Sequence, residues 1–107
     1  MSEPLARVDV SHPGTAAHVV VTGEIDISNG EDVGLQILDS IEDARLLVID
    51  LSRLGFIDSQ GIRMIHELSS SVDGRGIELE VVAPADSVAG QVLRLACLDE
   101  TITITEG

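Results

Sequence analysis

The 107 residues carry six arginines and no lysine against nineteen acidic residues, a net charge of −13. So negative a surface repels phosphate backbones and anionic lipid heads, which argues against direct nucleic-acid binding and membrane attachment. Phe56 is the only aromatic residue, which excludes a stacking platform for bases, while the 44% hydrophobic content argues for a folded core.

A chain of this length is expected to form one domain over residues 1–107 and to bury roughly 65% of its unfolded surface. Met1-Ser2-Glu3-Pro4 lacks a basic segment followed by an apolar run, so no signal peptide is expected. The longest apolar runs, 19–21 and 46–49, are far shorter than the ~18 residues of a membrane span. Cys97 stands alone and can form neither an internal disulfide nor a cysteine-based zinc site. The expected location is the cytoplasm.

In chain order, residues 7–10 read as a short edge strand, followed by a turn at His12-Pro13-Gly14. Residues 17–22 form a β-branched run ending near Gly23. Ser28-Asn29-Gly30-Glu31 has the spacing of a capping box, after which Val33, Ile37 and Ile41 recur on one helical face with Leu38 beside them. Residues 45–51 are almost continuously apolar and predict a central strand buried on both faces. Ile62, Ile65, Leu68 and Val72 mark a second helix from about residue 60, closed by Gly74-Arg75-Gly76. Residues 77–82 predict the next strand. Pro84 or Asp86 opens a third helix with a stripe of Val88, Val92, Leu95 and Ala96, and residues 102–105 close the chain as a strand. The order β-β-α-β-α-β-α-β predicts four or five strands with helices packed on the sheet, and a βαβ unit joining strands 45–51 and 77–82.

One stretch has a composition that exceeds structural need: Phe56-Ile57-Asp58-Ser59-Gln60-Gly61, at the opening of the second helix. A helix start presents free N–H groups and partial positive charge, so a phosphate on Ser59 would meet a donor array. The plainer alternative is that Asp58 or Ser59 is simply an N-cap, worth about 1 kcal/mol. Ser59 and His66 are no nucleophile–base dyad, because seven helical residues separate them by about 10 Å along the axis. His12, His18 and His66 lack metal-ligand spacing and read as surface or turn residues. No metal or cofactor is expected. Cys97 is expected to be a small packed residue. Glu24 and Asp26 fall in a predicted acidic turn before the first helix.

Thr22-Gly23-Glu24-Ile25-Asp26 resembles the T-G-E-[LI]-D motif of STAS domains. Val48-Ile49-Asp50-Leu51-Ser52, with Ile57-Asp58-Ser59-Gln60-Gly61-Ile62 four residues on, resembles their D-L-S and D-S-x-G block. Pro84 and the third helix also fall where that family has them, so the similarity spans about residues 5–105. A stand-alone, acidic version resembles the bacterial anti-sigma factor antagonists.

The resemblance implies an α/β fold, a STAS-like mixed four- to five-stranded sheet flanked by three or four helices. It implies partner switching without catalysis. Ser59 is then phosphorylated by an anti-sigma factor that is a histidine-kinase-like ATPase. The unphosphorylated form binds that kinase and frees a sigma factor, and a PP2C-type serine phosphatase resets the switch. The implied partner surface comprises Glu24, Asp26, Asp58, Ser59, Gln60, Gly61 and Arg63. Where the family commonly has a small residue, this chain has Gln60. The alternative reading is a STAS interaction subunit of a transporter or signalling scaffold that is not phosphorylated.

Overall fold

The computed structural model describes residues 5–41 and 43–106, so the opening tetrapeptide read above lies outside the described residues. Strand β1 (Ala6–Ser11) runs antiparallel to β2 (Ala16–Ile25), in a register that sets Val8 opposite Val21. The tight turn between them falls at the expected His12-Pro13-Gly14: Gly14 adopts a φ of 61°, and the Ala16 N–H donates to the Pro13 carbonyl at 3.1 Å. Helix α1 (Gly30–Ser40) follows, then β3 (Leu46–Asp50), β4 (Leu54–Ile57), α2 (Ser59–Gly74), β5 (Glu78–Val82), α3 (Val88–Leu95), a 3-10 turn at Leu98–Glu100 and β6 (Thr103–Thr105). The sheet order is β1-β2-β3-β5-β6, and β4 joins it by pairing with β2. All pairs except β1–β2 are parallel, so the sheet is mixed.

Strand β4 is one element more than the periodicity predicts. Its four residues contain Gly55, and both ends rather than alternate positions are buried, so it shows no two-residue period. It exists because β2 is long enough to serve two neighbours in succession. Residues 16–20 of β2 pair with β3, whereas residues 23–25 pair with β4, with a register shift between Gly23 and Glu24. Gly23 takes a φ of 105°, and a Cβ there would collide with the Leu5 carbonyl oxygen, which accepts the Glu24 N–H at 3.1 Å. A bulge of this kind needs glycine. Gly23 therefore bends β2 toward β4 and carries its end to the start of α2.

The core lies on one face of the sheet. Ala17, Val19, Val21, Leu47, Ile49 and Val81 are fully buried there, along with Ile37 of α1 and Ile65 of α2 at 0–1% exposure. The alternate residues of β3, Leu46, Val48 and Asp50, are only half-buried. The expectation of a strand buried on both faces is therefore corrected: Leu47 and Ile49 are covered, and the opposite face stays partly open. On that open face Leu46 is flanked by Ala16 and Glu78 and Val48 by His18 and Glu80, so the apolar run 46–49 joins two buried side chains to two half-buried ones with mixed neighbours.

Helix ends differ in how far they match expectation. Helix α2 terminates at the predicted glycines in a Schellman arrangement, with Gly76 at a φ of 72°, its N–H on the Asp73 carbonyl and the Ile77 N–H on that of Val72. The predicted capping box at α1 is not formed. Ser28 instead bonds Asp26, and Asn29, at the N-cap position, makes no capping bond. At α3 the cap is Ser87, rather than Pro84 or Asp86, with its Oγ accepting the Gly90 N–H at 3.0 Å.

The predicted α3 stripe is also corrected. Ala89, Gly90 and Leu93 are buried, whereas Val88 is 42% and Leu95 85% exposed, Ala96 is exposed and Val92 half-buried. Close approach of Gly90 to the Pro84 carbonyl fixes which face turns inward, and hydrophobicity alone pointed to the neighbouring one.

Cys97 is exposed rather than packed, and it ends α3 in the left-handed region at a φ of 60°. A side chain in that region costs of the order of 1 kcal/mol. Cys97→Gly is therefore expected to raise stability by up to about 1 kcal/mol, less the extra freedom glycine gives the unfolded chain. Urea titration of both proteins checks this, and a variant less stable than the parent would contradict it.

Candidate functional site

The C-terminal ends of β2 and β4 deliver two helix starts to one place. The Asp58 N–H donates to the Ile25 carbonyl at 3.2 Å, pinning the start of α2 to the end of β2. Gly61 is buried on Ile57 and Ile25, and a Cβ at position 61 would overlap both side chains. Gly30, the first residue of α1, sits so close to α2 that its Cβ would lie 3.5 Å from the Gln60 carbonyl oxygen. Small residues at both helix starts thus allow a near approach of two positive helix termini.

Asp58 is the N-cap of α2, with its Oδ1 accepting the Gln60 N–H at 2.9 Å and the Gly61 N–H at 3.3 Å. The plain capping alternative is therefore true of Asp58, and it leaves Ser59 free as the exposed first residue of the helix. It also changes the expected electrostatics. The donors that a phosphate was expected to meet are occupied by the Asp58 carboxylate, leaving the Ser59 N–H without a partner among the described residues. A phosphate on Ser59 would sit beside an anion.

The acidic pair divides. Glu24 lies within β2, exposed and paired with Phe56 of β4, which corrects its placement in a turn. Asp26 does lie in the connecting loop and organises it. Its carboxylate accepts the Ser28 N–H at 2.8 Å and the Ser28 hydroxyl, while Asn29 takes the Asp26 N–H and donates to the Glu24 carbonyl, both at 2.8 Å. Ser28 and Asn29 thus fasten the loop rather than cap the helix. The Ser28 hydroxyl, followed by the Ser28 and Asn29 backbone groups, holds the Asp26 carboxyl below the usual value of 3.8.

A depressed carboxyl pKa stabilises the fold above the unfolded value, and that contribution is lost as pH falls through the folded one. Asp26→Asn is therefore expected to be less stable than the parent at pH 7. The gap should close on acidification below about pH 4. Paired denaturation curves from pH 7 to pH 2 check this, and a gap that does not change with pH would contradict it.

Gln60 is half-buried, and Arg63 stands one turn further along, its Nε 3.1 Å from Glu67 Oε1. Of the expected partner-surface residues, Glu24, Asp26, Asp58, Ser59, Gln60 and Gly61 gather at this end of the sheet, while Arg63 borders them in an exposed ion pair. Sequence reasoning missed Ile27, an aliphatic side chain 80% exposed in the loop next to Asp26. Its signal was available: Ile27 stands outside both the strand alternation of β2 and the apolar face of α1. His66 lies on α2 with Ser59, as the dyad argument assumed.

Among the described residues no three or more His, Cys, Asp and Glu are grouped to hold a metal ion, and no helix is long and apolar enough to cross a membrane. The molecule is a helix-backed mixed sheet with two helix starts side by side at one end. A family model for the STAS domain matches residues 7–106, and the chain belongs to that family.

Its structure is similar to that of an anti-sigma factor antagonist from Mycobacterium paratuberculosis, with a TM-score of 0.79 at 26% identity, covering 100% of this chain and 92% of that one. A candidate anti-sigma factor antagonist of Thermotoga maritima gives a TM-score of 0.78 at 20% identity, over 94% and 86% of the two chains. The phosphorylated form of the Bacillus cell fate determinant SpoIIAA gives 0.67 at 15% identity, over 92% and 91%. These last two likenesses speak for the fold alone. No curated protein matches the chain.

Proposed function

We propose that the protein is an anti-sigma factor antagonist that acts by partner switching and has no catalysis of its own. The observation that carries this reading is Ser59: exposed, first in α2, and free of capping duty because Asp58 performs it. The unphosphorylated protein binds an anti-sigma factor of the histidine-kinase-like ATPase type and so releases a sigma factor. The Ser59 hydroxyl oxygen attacks the γ-phosphorus of ATP bound to that kinase. The bond to the ADP oxygen breaks, and the hydroxyl proton passes to a base of the kinase. A PP2C-type phosphatase hydrolyses the phosphoserine and restores the binding form. The whole chain acts as one domain in the cytoplasm, with no direct contact to nucleic acid or membrane.

Glu24 and Asp26 extend the acidic surface around Ser59, and Ile27 supplies an apolar anchor beside it. The test is intact mass after incubation with ATP and candidate ATPases of the anti-sigma type. One added phosphate, lost in Ser59→Ala, supports the reading. A second reading, a STAS interaction subunit of a scaffold or transporter, is favoured by Gln60, which stands half-buried beside the acceptor where a small residue is common. Tight partner binding with no phosphate gained would decide for it.

A further inference from the structure

Helices α1 and α2 lie side by side, starting at the same end, and a groove with a volume of ≈ 460 Å³ runs between them. Leu35 and Leu38 of α1 and Met64 and Leu68 of α2 line it. Leu35 is 53% exposed although it belongs to this apolar stripe. Gly34 lets the two helices close on each other at the groove floor, since a Cβ there would lie 3.0 Å from Met64 Cγ. A glycine inside a helix costs about 1 kcal/mol relative to alanine, and here it lets Met64 pack directly against α1. At one end the groove reaches Gln60, next to Ser59, and at the other Ser71. Eleven helical residues between those ends span about 16 Å.

The shape and charge of this groove select an occupant. Both walls are helices whose backbone groups are internally paired, so an extended peptide would find no ladder of donors and acceptors. A helix satisfies its own backbone and needs only side-chain contacts, and 16 Å accommodates about three of its turns. The rim carries Glu31 and Glu67, and the one cation there, Arg63, is already engaged by Glu67 at 3.1 Å. On a chain of net charge −13, the flanks of the occupant must be basic.

The geometry points to this groove as the seat of an amphipathic helix with basic flanks, belonging to the same partner protein that engages Ser59. The identity of the partner rests on the function proposed above, whereas the chemistry of the groove does not.

The test titrates the full chain, labelled for amide NMR, with a synthetic 15-residue amphipathic helix of leucine and lysine and with its leucine–glutamate counterpart. The expected result is perturbation concentrated at Gly34, Leu38, Met64 and Ser71 by the basic peptide alone. Leu35→Asp should weaken it on the order of ten-fold. Leu95→Asp, which adds the same charge at an 85% exposed site on α3, should leave it unchanged. Shifts scattered over the acidic surface, or equal affinities for the two variants, would overturn the inference. The same variants are then offered to the ATPase that phosphorylates Ser59. Slower phosphorylation of Leu35→Asp alone joins the groove to the switch, and equal rates for Leu35→Asp and Leu95→Asp would overturn the assignment of the helix to that partner. Groove binding by the peptide with no Ser59 kinase found removes the functional reading and leaves the groove site standing.

Discussion

Gly90→Ala is expected to lower stability by about 2 kcal/mol or more and the melting temperature by roughly 10 °C. A Cβ at position 90 would overlap the carbonyl carbon and oxygen of Pro84, which are backbone atoms. They cannot yield easily, because that oxygen also accepts the Ser87 N–H at 2.9 Å and the Ser87 hydroxyl at 2.6 Å. Alanine returns about 1 kcal/mol through helix propensity, so the clash must exceed the observed loss. Gly61→Ala provides a contrast: its obstacles are the side chains of Ile57 and Ile25, which can rotate in part, and the cost should be smaller. Thermal melts of the three proteins check the ranking. A Gly90 variant as stable as the parent would mean that α3 can shift away from Pro84.

Ser59→Asp is expected to leave the melting temperature almost unchanged and to weaken the complex with the cognate anti-sigma factor about 100-fold. The first half follows from geometry. Ser59 is exposed and its side chain makes no hydrogen bond among the described residues, so a new carboxylate displaces nothing. The second half follows from charge. The new anion stands next to the Asp58 carboxylate, whose Oδ1 already takes the Gln60 and Gly61 amides, so it has little to bind on its own chain. Burying it in an interface then carries a desolvation cost with no local compensation. Ser59→Ala should bind like the parent and accept no phosphate. Calorimetry with the purified ATPase reads both, and equal affinities for parent and Ser59→Asp would show that this serine is no switch.

The sequence was most legible where one physical cause dominates. Apolar periodicity located α1 and α2, and the Gly74-Arg75-Gly76 stop is found as a left-handed helix end with Gly76 in place. The motif around Asp58 was legible because capping needs a carboxylate at a fixed distance from two amides. Elements decided by individual contacts rather than by a repeating pattern were not legible. Strand β4 exists because β2 bends at Gly23, the buried face of α3 is chosen by the Gly90 contact with Pro84, and Ser28 serves Asp26 rather than a helix start. Only for β4 is the deciding neighbour distant in sequence; Gly90 and Pro84 lie six residues apart and Ser28 and Asp26 two, so there a specific local contact outweighed the periodic pattern. For the site, residue types and spacing singled out the stretch 56–61 and the family resemblance led to Ser59, but only the structure showed that Asp58 occupies the helix donors and that Ile27 stands exposed next to Asp26.

Strand β2 has a further consequence for how the molecule comes apart. It pairs with β1, β3 and β4, so three strands lose a partner together if it opens, whereas β6 pairs with β5 alone. Opening free energy should accordingly be graded across the sheet, and the central amides of β2 should exchange with solvent only on global unfolding. Ser59 hangs from the end of that strand through the bond from Asp58 to Ile25. A fluctuation that frees β6 breaks no bond at the start of α2, while the bond that anchors this start falls on the strand with three partners. On the function proposed above, a phosphate on Ser59 would therefore change the charge of this end of the molecule more than its shape, since the strand beneath it is held by three neighbours.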